Sequence, residues 1–156
     1  MKNKHFEQAI ANALYEAERA ILEVAELEEP VWSNIFCIEG GKSNKPFSVG
    51  RIKATGVYKI YHKDDLTTPV VIGEGVVGTR KGRHVTVMRN GGKSKTHENG
   101  SSSPCSTATK MYKYDSTLTN YFFQWCELPK SITPHYETVL IQQLKPVFND
   151  PKMAGI

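Results

Sequence analysis

Five side chains of kinds that do chemistry fall in order along the chain. Tyr58 closes a Gly56-Val57-Tyr58 run, and Arg80 and His84 stand four residues apart in a basic stretch. Glu137 follows Thr133-Pro134, and Asn149 ends the run Leu144-Lys145-Pro146-Val147-Phe148-Asn149. An arginine presents a planar fork of donors that fits phosphate oxygens. Carboxylates with waters and phosphate are how proteins usually hold magnesium. An imidazole one helical turn from an arginine shares its face. Together these groups suit chemistry at a phosphate ester. Each also has an ordinary structural use: a strand tyrosine packs in a core, a glutamate in a first helical turn meets the dipole, and an asparagine after a helix caps it. Their order and spacing carry more than any one of them.

The elements that must position them follow from periodicity. Phe6, Ile10, Leu14, Ala17, Ile21, Val24 and Leu27 recur at steps of three or four, which predicts a helix over residues 3–29, closed by Pro30. Its narrow, Ala-rich stripe suits packing on the body, with a second copy of the chain as the other choice. Residues 38–53 read as a loop. Gly56 to Tyr61 alternates and is rich in β-branched and aromatic residues, so it predicts a strand. Asp64-Asp65 makes a turn, and Pro69 to Gly73 returns as a second strand. A short basic helix is expected over 79–89 and another over 107–114, with a polar Gly/Ser-rich loop over 90–107. Leu118 to Leu128 predicts a third strand, with Tyr121, Phe123 and Trp125 on one face and Phe122, Gln124 and Cys126 on the other. Thr133 is expected as N-cap of a helix with Pro134 at its first position, running to about Leu144; Lys145-Pro146 closes it.

At 156 residues, the chain suits one domain, here an N-terminal helix over 1–30 and a body over 31–156. Its net charge of +4 hides an asymmetry. Residues 1–29 hold seven acids against three Lys or Arg, whereas residues 78–113 hold Arg80, Lys81, Arg83, Arg89, Lys93, Lys95, Lys110 and Lys113 against Glu98 alone. So local an excess points to a polyanion partner, because displaced phosphate counterions favour binding. Three cysteines without CxxC spacing argue against a disulfide framework or a Cys-rich zinc site and for a reducing compartment. No apolar run is long enough for a membrane span or a leader, so the expectation is a cytoplasmic protein with no membrane partner.

Gly73-Glu74-Gly75-Val76-Val77-Gly78 matches GxGxxG after a strand. A dinucleotide site would need a βαβ unit and an acid about 20 residues on. That distance lands in the basic Gly-rich loop, so no nucleotide cofactor is expected. A flexible strand-to-helix turn near a phosphate backbone is the better reading.

The ordered set resembles the GIY-YIG nuclease family over residues 54–150. Gly56-Val57-Tyr58 looks like the first signature and Val71-Ile72-Gly73 occupies the slot of the second. Arg80, His84, Glu137 and Asn149 match the family's Arg, His, metal-binding Glu and late Asn. Val71 stands where the second signature carries tyrosine, and the interval to Arg80 is one residue short, which leaves Arg83 as a rival to Arg80. The resemblance implies an α+β fold: a three-stranded, mainly antiparallel sheet flanked by helices, behind the N-terminal helix and with a basic insertion at about 85–115. It implies a restriction-like or phage-type endonuclease cutting double-stranded DNA with Mg2+, or Mn2+ in its place, held by Glu137. Tyr58 would deprotonate or align the attacking water, helped by Arg80, Lys59 or the metal. His84 would position water or phosphate, and Asn149 would orient Tyr58, the water or nearby backbone. Lys81, Arg83, Arg89, Lys93 and Lys95 would contact DNA, and the N-terminal helix offers a homodimer face. Two alternatives stay open: a catalytically impaired DNA-binding module, and a nuclease for single strands or RNA.

Overall fold

The computed structural model describes residues 3–16, 29–39, 53–94 and 105–149. Helix α1 spans Lys4–Glu16. It starts where the Asn3 side chain accepts hydrogen bonds from the His5 and Phe6 amides at 2.8 and 3.3 Å, a side-chain N-cap. Phe6, Ala9, Ile10 and Ala13 form its buried stripe, so in this part of the helix the apolar face is already taken by the body. The continuation expected over 17–28 lies outside the described residues, as does 40–52 of the expected loop.

Four strands form one antiparallel sheet in the order β1-β4-β2-β3: β1 Phe36–Cys37, β2 Thr55–His62, β3 Val71–Val76 and β4 Tyr121–Glu127. Three strands were expected. The fourth, β1, is two residues long and pairs with Phe123 and Phe122, too short to show any periodicity. The expected 118–128 strand also divides, because Leu118–Asn120 is a 3-10 turn.

Helices cover both faces. On one, Tyr58, Ile60, Val71, Tyr121 and Phe123 pack against α2 (Val77–Arg89) and α3 (Ser106–Tyr114) through Val77, Val85, Met88 and Met111. On the other, Val57, Ile72 and Cys126 pack against α1 and α4 (Thr133–Leu144), where the Phe6 and Tyr136 rings meet edge-on at 5.4 Å. Alternation along β2 therefore sends Val57 to one layer and Tyr58 to the other. Among the described residues no helix is long and apolar enough to cross a membrane.

Helix α4 begins one residue earlier than its sequence suggests. Thr133 is inside the helix and Ile132 is the N-cap, with no side-chain cap. The Thr133 hydroxyl instead donates to Glu74 Oε2 at 3.0 Å. At the other end Lys145 turns left-handed at φ 48° just before Pro146.

Strand β3 is an edge, and the segment after α4 seals it. The Phe148 amide donates to the Val70 carbonyl at 2.9 Å. Asn149 accepts from the Ile72 amide at 2.8 Å and donates to the Ile72 carbonyl at 2.9 Å, an amide side chain imitating a strand. Helix α3 holds this seal in place, because the buried Lys110 ammonium donates to the Phe148 carbonyl at 3.1 Å. Asn149→Ala leaves both Ile72 groups without these partners and should lower unfolding stability by about 1–3 kcal/mol in urea titrations, with faster hydrogen exchange at Ile72. Unchanged exchange there would show that water serves the edge equally well.

Candidate active site

The site lies along the open end of β3 and depends on two glycines. Gly73 pairs with Tyr58 across the β2–β3 ladder. A Cβ at Gly73 would overlap the Tyr58 ring and hydroxyl. Two residues on and on the same face, Gly75 (φ 127°) leaves room for Arg80, whose Nε would lie 2.7 Å from an added Cβ. The bare strand lets a phenol and a guanidinium lie across it side by side. The Gly73-x-Gly75 spacing is thus a steric gap for side chains of this chain.

Two further rings hold Tyr58. It stacks on Phe123 at 5.4 Å between centroids and 18° between planes, meets His84 edge-on at 5.7 Å, and is 5% exposed. Burial pushes its phenol well above the ordinary value; Cys105 and Glu137 push the same way, while Arg80 and Arg83 pull it down. Lys59, expected to help, points to the other face, where its ammonium lies 4.1 Å from the centroid of the Trp32 ring.

Glu137 comes from the second turn of α4 and is half-buried. Burial and the neighbouring Glu74 carboxylate raise its pKa to about 7; Arg80 and the Glu74 backbone hydrogen bond oppose them. Arg80 acts on both Tyr58 and Glu137, and Arg83 on Tyr58 only. That favours Arg80 over Arg83 as the central cation.

His84 is 3% exposed. Its Nδ1 meets the Arg80 carbonyl at 2.9 Å and its Nε2 the Thr107 hydroxyl at 2.8 Å. With both ring nitrogens engaged, it braces Tyr58 and is not open to water or phosphate as expected. Cys105 Sγ lies 3.5 Å from the same Nε2. Burial alone would raise its thiol, but the His84 hydrogen bond and charge, with Thr107 and the Ala108 amide, bring it down to about 7.

The structure brings Tyr58, Arg80, His84 and Glu137 together and places Asn149 beside them on the β3 backbone. It divides the expected DNA-contacting set. Lys81 is removed from it: the side chain is 7% exposed, and burial, then Arg89, lowers its pKa to about 8. Arg83 is half-buried and Lys93 exposed. Arg89 is exposed and bridges to Glu39 at 2.9 Å. Lys95 lies outside the described residues. Val71, in the slot of the missing tyrosine, is a 1% exposed core residue. Sequence reasoning missed Glu74, Thr133 and Cys105. The signal for Glu74 was a lone charge between two glycines in an otherwise apolar strand.

The oxygen-rich corner of Glu137, Glu74 and Thr133 suits a hard divalent cation by donor type. Among the described residues no group of three or more His, Cys, Asp or Glu stands together, so waters and substrate oxygens would complete the shell, as is usual for magnesium. Comparison with protein-family models, curated proteins and solved structures returned no match.

The Glu137 shift has a definite sign in stability. The folded chain binds this proton up to about pH 7, against the ordinary value of 4.5. Stability is therefore full below the lower value and is lost as pH rises through the upper one. Glu137→Gln should leave Tm nearly unchanged at pH 5 and raise it at pH 8. Equal effects at both pH values in a thermal melt would show that Glu137 titrates normally. Gly73→Ala should destabilise by about 1–3 kcal/mol through overpacking, and less in a Tyr58→Leu background. Equal losses in both backgrounds would mean the overlap is relieved elsewhere.

Proposed function

We infer that the chain is a divalent-cation-dependent endonuclease that hydrolyses phosphodiester bonds of double-stranded DNA, a divergent relative of the GIY-YIG nucleases. One observation carries the reading. Arg80 stands within electrostatic reach of both the Tyr58 phenol and the Glu137 carboxylate, three groups from three elements meeting at one strand edge. The basic excess over residues 78–113 supports a polyanionic substrate.

Arg80 forks onto a non-bridging phosphate oxygen and offsets charge that develops there. Glu137, with waters, would hold magnesium or manganese. When bound, the cation supplies Lewis acidity at the phosphate and at the leaving 3′ oxygen. Tyr58, kept neutral by burial, presents a hydroxyl that orients the attacking water; service as a base requires the positive charge of Arg80 and Arg83 around it. His84 fixes the Tyr58 ring, and Asn149 fixes the strand under it. Arg83, Arg89 and Lys93 are the described cations left to meet the DNA backbone.

A second reading rests on that raised phenol and on Val71: a catalytically impaired module that binds DNA without cutting. One assay separates them. With Mg2+ and plasmid or phage DNA, the wild type should cut, Glu137→Ala should not, and Arg80→Ala should be slower by roughly 100- to 1,000-fold. Discrete fragments would identify a restriction-like enzyme and a smear a non-specific one. Salt-sensitive DNA binding with no cutting in Mg2+ or Mn2+ would establish the impaired module, and equal cutting by wild type and Glu137→Ala would remove Glu137 from the site.

A further inference from the structure

We propose that Cys105 is a modification site: a thiolate, generated by proton transfer to His84, that small hydroperoxides oxidise to a sulfenic acid. The endonuclease chemistry makes no use of this sulfur, and the site is independent of that reading. The tautomer of His84 decides the matter. Its Nδ1 lies 2.9 Å from the Arg80 carbonyl. A carbonyl oxygen only accepts, so Nδ1 carries a hydrogen, and in the neutral ring Nε2 is left as an acceptor. The two groups at Nε2 both have a proton to give: the Thr107 hydroxyl at 2.8 Å and the Cys105 sulfur at 3.5 Å. Thr107 and Cys105 are themselves 3.6 Å apart, so base, hydroxyl and thiol form a closed triangle. Once the thiol proton passes to Nε2, the ring donates to the thiolate, and the Thr107 hydroxyl can turn its own proton toward the sulfur.

Three features set Cys105 apart from Cys37 and Cys126, which are also free thiols. It is paired with an oriented imidazole. It is the N-cap of α3, at the positive end of a nine-residue helix, where a thiolate gains from the dipole. It is only half-buried, so a small reagent can reach it. Burial works against the thiolate, yet the His84 hydrogen bond and charge, with Thr107, bring the thiol down to about 7. Cys126 is the opposite case: it is 1% exposed in the α1–α4 layer, and burial pushes its thiol up to about 12. Cys37 meets the Thr119 carbonyl at 3.7 Å, an acceptor that offers a thiolate no stabilisation. In the reaction the Cys105 thiolate attacks one oxygen of the hydroperoxide, and the O–O bond breaks. Sulfur is oxidised to S–OH and the peroxide is reduced. The departing hydroxide or alkoxide takes the proton held on Nε2 and leaves as water or alcohol. The new S–OH lies against the ring that braces Tyr58.

The test is labelling of the full-length chain with hydrogen peroxide and dimedone, a trap for sulfenic acid, followed by mass spectrometry of the three cysteine peptides. Cys105 should label first. Alkylation by iodoacetamide is the companion measurement: the Cys105 rate should rise with a midpoint near pH 7, against the ordinary thiol value of 9.0. At pH 7 His84→Gln should slow Cys105 alkylation by roughly 5- to 10-fold, the loss of thiolate partly offset by the greater nucleophilicity of a more basic thiol. If His84→Gln folds poorly, the wild-type pH profile decides. Labelling of Cys37 or Cys126 ahead of Cys105 would overturn the assignment. So would a Cys105 midpoint near 9.0, or equal rates in the wild type and a folded His84→Gln. Each outcome is read without DNA cutting, so the endonuclease reading stands or falls separately.

Discussion

Everything at this site depends on the missing side chains of β3. An edge strand normally covers itself with a side chain at every second position on each face. Here Gly73 and Gly75 leave one face of the strand bare for two consecutive positions. Tyr58 crosses the first gap and Arg80 folds back over the second. Without that clearance the phenol would have to swing away from the edge, and its stacking on Phe123 would be lost. Two glycines in a short strand weaken it, and this gives the clasp from Asn149 its importance: it restores hydrogen bonding where the strand is least able to hold itself.

The electrostatics repeat the same division. Arg80 is surrounded by groups that gain from its charge. Glu74 and Glu137 crowd each other, and burial strengthens their repulsion. The Thr133 hydroxyl holds the Glu74 carboxylate against α4. His84 shows the reverse arrangement: with each ring nitrogen engaged, it is a fixed brace.

Much of the fold was legible in the sequence. The helices expected over 79–89, 107–114 and 134–144 stand within two residues of the observed ends, and the pairing of the first two long strands follows from alternation and turn residues, because those signals are local. Tyr58, Arg80 and Glu137 were picked out by type and order, and they do meet. What escaped depended on tertiary packing. Lys81 and Lys110 look like surface cations, yet one is buried near Arg89 and the other donates to the Phe148 carbonyl. Thr133 reads as a helix cap because the Thr-Pro pair says so locally; a carboxylate 59 residues away takes its hydroxyl instead. A two-residue strand such as β1 carries no pattern at all. His84 was expected to face substrate, and nothing in its spacing reveals that Thr107 would occupy it.

The clasp between Asn149 and Ile72 joins positions 77 apart in sequence. Loop-closure entropy grows only slowly with length, by about 0.6 kcal/mol for each doubling, so this join is little harder to close than the β2–β4 ladder. It does make the floor beneath Tyr58 depend on a segment that arrives after the last helix: any change that shortens or displaces residues 145–149 is felt first at the backbone of Ile72.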